Sequence, residues 1–176
     1  AALEGLNLLT SHPVLYVCNV REDDAATGNE HTRAVEKMAA AQGAGCVTIS
    51  AAIEAELAQL PDDDAKAFLT DLGLEEPGLD KLIHEGYRLL GLITYFTVGP
   101  KEARAWTVHR GAKAPQAAGV IHTDFERGFI RAQTIAYDDF VSLGGEVAAK
   151  EAGKARDEGK EYVVQDGDIM LFKFNT

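Results

Sequence analysis

The sequence predicts two units in succession: an α/β unit with parallel strands, then a small α+β unit. Three observations carry this. Val14-Leu15-Tyr16-Val17-Cys18 and Cys46-Val47-Thr48-Ile49 are short, continuous apolar runs separated by a helical stretch. Such runs suit buried parallel strands, and strand, helix, strand in this order is a βαβ unit with a right-handed crossover. From Ile93 onward the pattern changes to alternating runs rich in aromatic and β-branched residues. The charge changes at the same place. Residues 1–86 hold 16 Asp/Glu against 5 Lys/Arg, whereas residues 87–176 hold 12 of each. Two surfaces that differ this much suggest two units, with the boundary drawn at residues 1–90 and 91–174.

Along the first unit, Leu3 to Leu9 reads as the end of a helix that Ser11-His12-Pro13 breaks. Glu30 to Gln42 has helical spacing, with Val35, Met38 and Ala39 on one face and Gly43 as its C-terminal cap. Ala51 to Leu60 is a further helix. Asp62 to Leu72 is another, with Asp62, Asp63 and Asp64 at its positive end and Gly73 after it. Leu79, Leu82, Ile83, Tyr87 and Leu90 fit one face of a helix that follows the Glu76-Pro77-Gly78 break. In the second unit, Ile93 to Val98 and Ala103 to His109 form a hairpin across Gly99-Pro100. Pro115 starts a helix to Ile121. Phe129 to Tyr137 is a strand, and Glu146 to Ala155 a helix. Tyr162 to Gln165 and Ile169 to Phe174 make a last hairpin through Asp166-Gly167-Asp168. About five strands around one short helix make an α+β domain of ubiquitin-like size.

Composition excludes several classes. No apolar run approaches the ~20 residues that span a bilayer, and the first residues carry no basic signal-peptide region, so the expected compartment is the cytoplasm and no membrane partner is expected. Cys18 and Cys46 do not make a disulfide framework and read as reduced, buried, small hydrophobes. The five histidines have no metal-ligand spacing with each other or with the cysteines. An acidic first unit is a poor binder of a phosphate backbone, but Lys101, Arg104, Arg110 and Lys113 in the second unit form a local basic cluster. That cluster is either a solvated hairpin face or an RNA-contacting patch. The four charges form either one stripe or two patches; Arg104 and Arg110 differ by an even number, so a regular strand puts them on one face, which favours a stripe. Trp106 on the same run reads as core before it reads as a platform for bases.

The chemistry-bearing signal is Asn19-Val20-Arg21-Glu22, at the carboxyl end of the first strand, where open α/β sheets bind ligands. GTPases carry N-K-x-D at the corresponding place, with the Asp accepting two donors from guanine. Here Val20 occupies the Lys position, and Glu22 is one methylene longer than Asp. Asn19 retains the donor and acceptor pair with which Asn recognises adenine. Ser50 and Ala51 at the end of the next strand match the S-A-x that backs the base, and Ser50 also reads as a helix N-cap.

Longer runs carry a family resemblance. They are Tyr16-Val17-Cys18-Asn19-Val20-Arg21-Glu22, Leu74-Glu75-Glu76-Pro77-Gly78-Leu79, Tyr95-Phe96-Thr97, Arg104-Ala105-Trp106-Thr107-Val108 and the whole stretch from Lys113-Ala114-Pro115-Gln116 to Gly128-Phe129-Ile130-Arg131-Ala132. With Asp166-Gly167-Asp168-Ile169 and Phe172-Lys173-Phe174-Asn175 they cover nearly the whole chain. The chain resembles the C-terminal part of the YchF (Obg-like ATPase) family, the Obg branch of P-loop NTPases. The resemblance implies that residues 1–90 are part of a G domain with connecting helices, and that residues 91–174 are a TGS domain with a β-grasp fold. It implies an ATP-preferring (ATP or GTP) site shaped here by Asn19, Val20, Glu22, Ser50 and Ala51, and association with ribosomes or RNA. No G-x-x-x-x-G-K-S/T occurs, and Gly153-Lys154 and Gly159-Lys160 lack its spacing. The residues that hold phosphate and Mg²⁺ would then lie N-terminal to Ala1, so the chain alone is expected to be inactive, with no catalytic and no metal-binding residues of its own. The rival expectation is a non-enzymatic module in which the TGS half recognises RNA or a protein.

Overall fold

The computed structural model describes residues 8–175, and the chain divides into two compact units after Leu90. The helix end read at Leu3 to Leu9 falls largely outside the described residues; Leu9–Ser11 form a single 3-10 turn.

The first unit runs β1 (Leu15–Asn19), α1 (Glu30–Gln42), β2 (Gly45–Ile49), α2 (Ala51–Leu57), α3 (Asp62–Asp71) and α4 (Gly78–Leu90). β1 and β2 pair in parallel, Leu15 opposite Gly45 and Asn19 opposite Ile49. α1 has the expected bounds because both ends are capped. Asn29 Oδ1 accepts the His31 and Thr32 N–H groups at 3.0 and 3.1 Å, and Gly43 (φ 67°) closes the helix in the left-handed region. The Tyr16 hydroxyl donates to Gln42 Oε1 at 2.8 Å, so the even-numbered strand side chains face α1 and the odd-numbered ones face α4. α2 stops at Leu57, short of the expected Leu60. α4 starts on a carboxylate from α2: Glu54 accepts Gly78 N–H at 2.7 Å and Leu79 N–H at 3.2 Å.

Burial in this unit departs from the sequence expectation. β1 has no buried residue and Val17 is 45% exposed, whereas β2 buries Gly45 and Val47. The apolar face read on α4 is divided. Leu82 is half-buried, whereas Leu79, Ile83 and Leu90 are 52%, 47% and 55% exposed.

The second unit runs β3 (Leu92–Val98), β4 (Ala103–His109), α5 (Ala114–Ile121), α6 (Thr123–Arg127), β5 (Phe129–Ile135), α7 (Tyr137–Leu143), α8 (Glu146–Glu151), β6 (Arg156–Glu158) and β7 (Ile169–Phe174). Its sheet has the order β4-β3-β7-β5-β6, antiparallel except where β3 meets β7. α5 packs on one face through Ala114, Ala117 and Ala118, whose missing bulk lets the helix lie close to Ile93, Tyr95, Met170 and Phe172. Gly128 must be glycine for space: a Cβ there would lie 1.9 Å from the Asn175 carbonyl oxygen, whose residue pairs back by donating N–H to Gly128 O at 2.9 Å.

The β3–β4 hairpin and the α5 start at Ala114-Pro115 follow the sequence reading. Three elements do not. Tyr137 begins α7 instead of ending a strand, and α8 stops at Glu151, leaving Arg156–Glu158 as an edge strand. Tyr162 to Gln165 is not the partner of β7. It is a strap that touches Lys113 by one bridge, while β7 pairs with β3 and β5 in the sheet centre.

Candidate functional site

The carboxyl ends of β1 and β2 are tied to each other. Val20 N–H donates to Ile49 O at 2.9 Å, and Asn19 Oδ1 accepts the Ala51 N–H at 3.0 Å. Asn19 thus satisfies one of the orphan donors at the start of α2 from across the sheet. Ser50 is not that cap: it makes no side-chain cap bond, and its buried Oγ has no partner among the described residues. With Oδ1 occupied, the Asn19 amide NH₂ remains without a partner among the described residues.

A groove of about 760 Å³ runs along the outer edge of β1, with Asn19, Val20, Arg21, Asp24, Asn29 and His31 among its walls. The loop from Arg21 to Asn29 shapes it. Gly28 (φ 64°) turns the chain where a Cβ would meet Thr32 Oγ1 at 2.5 Å, and Asn29 Nδ2 donates to Asp24 Oδ2 at 2.9 Å. Glu22 heads the 3-10 turn Glu22–Asp24 and is not among the groove walls, whereas Asp24 is. Ser50 lines a separate small chamber with Glu54 and Glu76. Of the five residues read from sequence, the structure therefore brings Asn19 and Val20 to the groove, bonds Ala51 to Asn19, and leaves Glu22 and Ser50 aside. Asp24 and Asn29 were missed. Asn29 three residues before Thr32 is a capping-box pattern, which was the available signal.

The thiols of Cys18 and Cys46 are free, half-buried and 3.9 Å apart. Burial, then the contact with Cys18, pushes the Cys46 thiol up to about 11, so it stays protonated at neutral pH. Among the described residues no group of three His, Cys, Asp or Glu side chains is arranged to hold a metal ion, and no helix is long and apolar enough to cross a membrane.

The four basic residues do not line up. β4 ends at His109, so strand parity does not carry Arg110 onto the face of Arg104. Lys101 and Arg104 lie at the turn end of the hairpin, and Arg110 and Lys113 at the other end, roughly 20 Å away for seven residues of strand. The Arg104 guanidinium lies 4.2 Å over the Trp106 ring, whose Nε1 donates to Thr97 Oγ1 at 2.9 Å. Lys113 pairs with Glu161.

In class, this is a parallel α/β unit whose strand ends open on a groove, followed by an α+β unit built on a mixed sheet. Comparison with known proteins gives the family. The family model YchF-GTPase_C, described as a protein of unknown function, matches residues 92–175. The "Ribosome-binding ATPase YchF" of Haemophilus ducreyi is 58% identical over 175 residues, covering 99% of this chain and 48% of that protein. "Obg-like ATPase 1" of Rattus norvegicus is 44% identical over 180 residues, covering 99% and 45%. The solved structure of the Schizosaccharomyces pombe YchF GTPase superposes with a TM-score of 0.84 at 38% identity, covering 97% of this chain and 46% of that one. The chain belongs to the YchF (Obg-like ATPase) family and spans about half the length of the curated relatives it matches.

Proposed function

We propose that this chain supplies the base-reading strand ends of a ribosome-associated, ATP-preferring Obg-type P-loop NTPase, with the second unit as its TGS domain of β-grasp fold. The carrying observation is the Asn19–Ala51 bond. It holds the carboxamide at the strand ends with its NH₂ turned loose, a donor for a purine ring nitrogen. The groove beside it has room for a base, and Val20 adds an apolar wall. The names of the relatives, ribosome-binding ATPase and Obg-like ATPase, support the same reading. The bound nucleotide would bring its own phosphates and Mg²⁺, for which this chain offers no cradle, so hydrolysis is not assigned to it. The work of these residues is to orient the base, in a cytoplasmic protein.

Base choice is the direct test. In the full-length protein, Val20→Lys with Glu22→Asp should restore N-K-x-D and shift the ATP/GTP affinity ratio toward GTP by roughly tenfold, within the ~1–3 kcal/mol of a bidentate base contact. Competition titration with both nucleotides measures this. An unchanged ratio would remove the motif from base reading, which the absence of Glu22 from the groove walls makes a sharp trial.

The ribosome link has its own readout. Arg104 and Arg110 belong to separate patches, so each should act alone if the hairpin touches RNA. Co-sedimentation of the full-length protein with ribosomes is measured over a range of salt. Arg104→Glu and Arg110→Glu should each flatten the salt slope by about 0.7–0.9 per lost phosphate contact. Binding and slope both unchanged would identify the hairpin as solvated surface and move the ribosome contact elsewhere in the protein.

A further inference from the structure

β2 has an open edge with a cleft beside it. Gly45 N–H donates to Val14 O at 3.2 Å and Ile49 O accepts from Val20 N–H at 2.9 Å, so residues 45, 47 and 49 turn their backbone groups toward β1. In a parallel pair the residues between them point the other way. The N–H and C=O groups of Cys46 and Thr48 therefore face outward, and none has a partner among the described residues. Unpaired groups of this kind are a template for another strand, and natural edges are blunted by Pro, a bulge or a Lys on the edge. Gly45–Ile49 has none of these.

A cleft of about 390 Å³ follows this edge, walled by the loop 25–28 and Glu36 of α1 on one side and by Lys81, His84 and Glu85 of α4, with Glu76, on the other. Glu76 pairs with His84 at 3.7 Å, its one ion-pair partner among the described residues, and Glu85 holds Arg88. Glu36 has no ion pair among the described residues. With Glu85 neutralised by Arg88, Glu36 and Glu76 against Lys81 still leave the cleft negative. At its inner end a chamber with room for about one water is shared by Thr48, Glu76 and Lys81. The Ser50 side chain, 3% exposed and with its hydroxyl unpaired, faces that chamber. An orphaned buried hydroxyl beside an open strand edge is a built-in demand for a partner group or a water that a bound segment would enclose.

We propose that the β2 edge takes up an extended, lysine- or arginine-bearing peptide segment as an added strand. Strand addition draws affinity from main-chain hydrogen bonds and specificity from alternate side chains. Successive side chains of the added strand point to opposite faces. One set reaches Glu36 on the α1 side, and the other reaches Glu76 and Glu85 on the α4 side. The same carboxylates repel a nucleic-acid backbone, and they disfavour a second copy of this edge, which would bring two acidic clefts together. The proposal is independent of the base-reading role, which lies at the opposite edge of the two-stranded sheet.

The test uses the 176-residue chain and a capped peptide of alternating lysine and valine, followed by amide NMR and hydrogen exchange. Binding should shift and protect the Cys46 and Thr48 amides. N-methylation of the peptide at alternate residues, in the register that faces the edge, should weaken binding by roughly tenfold or more, as expected when main-chain bonds are lost. Glu36→Lys and Glu76→Lys should each weaken it by about threefold to tenfold and lower its salt sensitivity. Thr48→Pro should abolish binding while leaving the fold intact, because that N–H points outward. The proposal is overturned if the peptide binds without protecting Cys46 and Thr48, if the N-methylated peptide or an alternating glutamate and valine peptide binds as well, if an oligouridylate protects the same amides, or if no peptide binds at millimolar concentration.

Discussion

Replacing Tyr95 by alanine is expected to cost the second unit roughly 3–5 kcal/mol, the range for truncating a fully buried aromatic ring. Tyr95 is fully buried at the middle of β3. Its ring meets Phe172 of β7 edge-on at a centroid distance of 5.9 Å, and its hydroxyl donates to the Ala117 carbonyl of α5 at 2.8 Å. One side chain thus joins the helix to two strands of the sheet. Burial pushes its phenol well above the ordinary range, so the group stays a neutral donor at every working pH. Tyr95→Phe keeps the packing and removes only the hydrogen bond, so it should cost about 1 kcal/mol. Trp106, the only tryptophan in the chain, belongs to the second unit and pairs across the hairpin with Tyr95. Its fluorescence during urea unfolding therefore reports this unit alone. A domain stability of 5–15 kcal/mol is typical, so the alanine variant should lie close to unfolding in water. Equal midpoints for the phenylalanine and alanine variants would show that the ring is not the centre of the core.

The contrast between legible and illegible elements has a physical basis. α1 was readable because its apolar spacing and the left-handed Gly43 after it are local signals that need no tertiary partner; the capping Asn29 at its start is equally local but was not used. The β3–β4 hairpin was readable because alternation and Gly99-Pro100 specify it within one stretch of chain. β6 was not: Arg156-Asp157-Glu158 has no apolar residue, and it is a strand only because β5 offers it backbone partners. α7 was misread because the aromatic Tyr137 follows a β-rich run, although Asp138 and Asp139 in its first turn and Gly144 (φ 82°) at its end were helix signals. At the candidate site, Asn19 was legible from its place after a strand. Its bond to Ala51 spans 32 residues of sequence and depends on the strand register, which no local pattern contains. Glu22 heads the 3-10 turn Glu22–Asp24 and is not among the groove walls, where Asp24 stands, a loop geometry that no local pattern contains.

The strap from Gly159 to Asp168 explains the other large expected effect. The sequence pattern around Asp166-Gly167-Asp168 looks like a hairpin turn, yet its hydrogen bonds go to β3. Thr94 N–H donates to Asp166 Oδ1 at 2.8 Å, Gly167 N–H to Thr94 O at 2.8 Å, and Phe96 N–H to Asp168 O at 2.8 Å. Asp168 is 3% exposed, and one carboxylate oxygen accepts both the Tyr162 hydroxyl at 2.7 Å and the Gln165 N–H at 2.9 Å. Asp168→Ala removes the oxygen that accepts both bonds and leaves two donors unsatisfied, so it should cost roughly 2–5 kcal/mol at about 1–3 kcal/mol for each orphaned group. Asp168→Asn keeps an acceptor oxygen and should cost less than half of that. Tyr162 gives the same contact a pH signature. Burial first, then the hydrogen bond to the Asp168 carboxylate, pushes its phenol from 10.0 to about 12. A group whose folded pKa is raised contributes stability that is fully present below its unfolded value and is lost as pH rises through the folded one. The wild-type second unit should therefore lose stability between pH 10 and about 12, and in Asp168→Asn the phenolate should appear at lower pH. Trp106 fluorescence during urea unfolding and phenolate absorbance during alkaline titration measure the two effects. If Asp168→Ala left both the unfolding midpoint and the Tyr162 titration unchanged, the strap would be held by its backbone bonds to β3, Ala112 and Ala114, and the buried carboxylate would have no structural role.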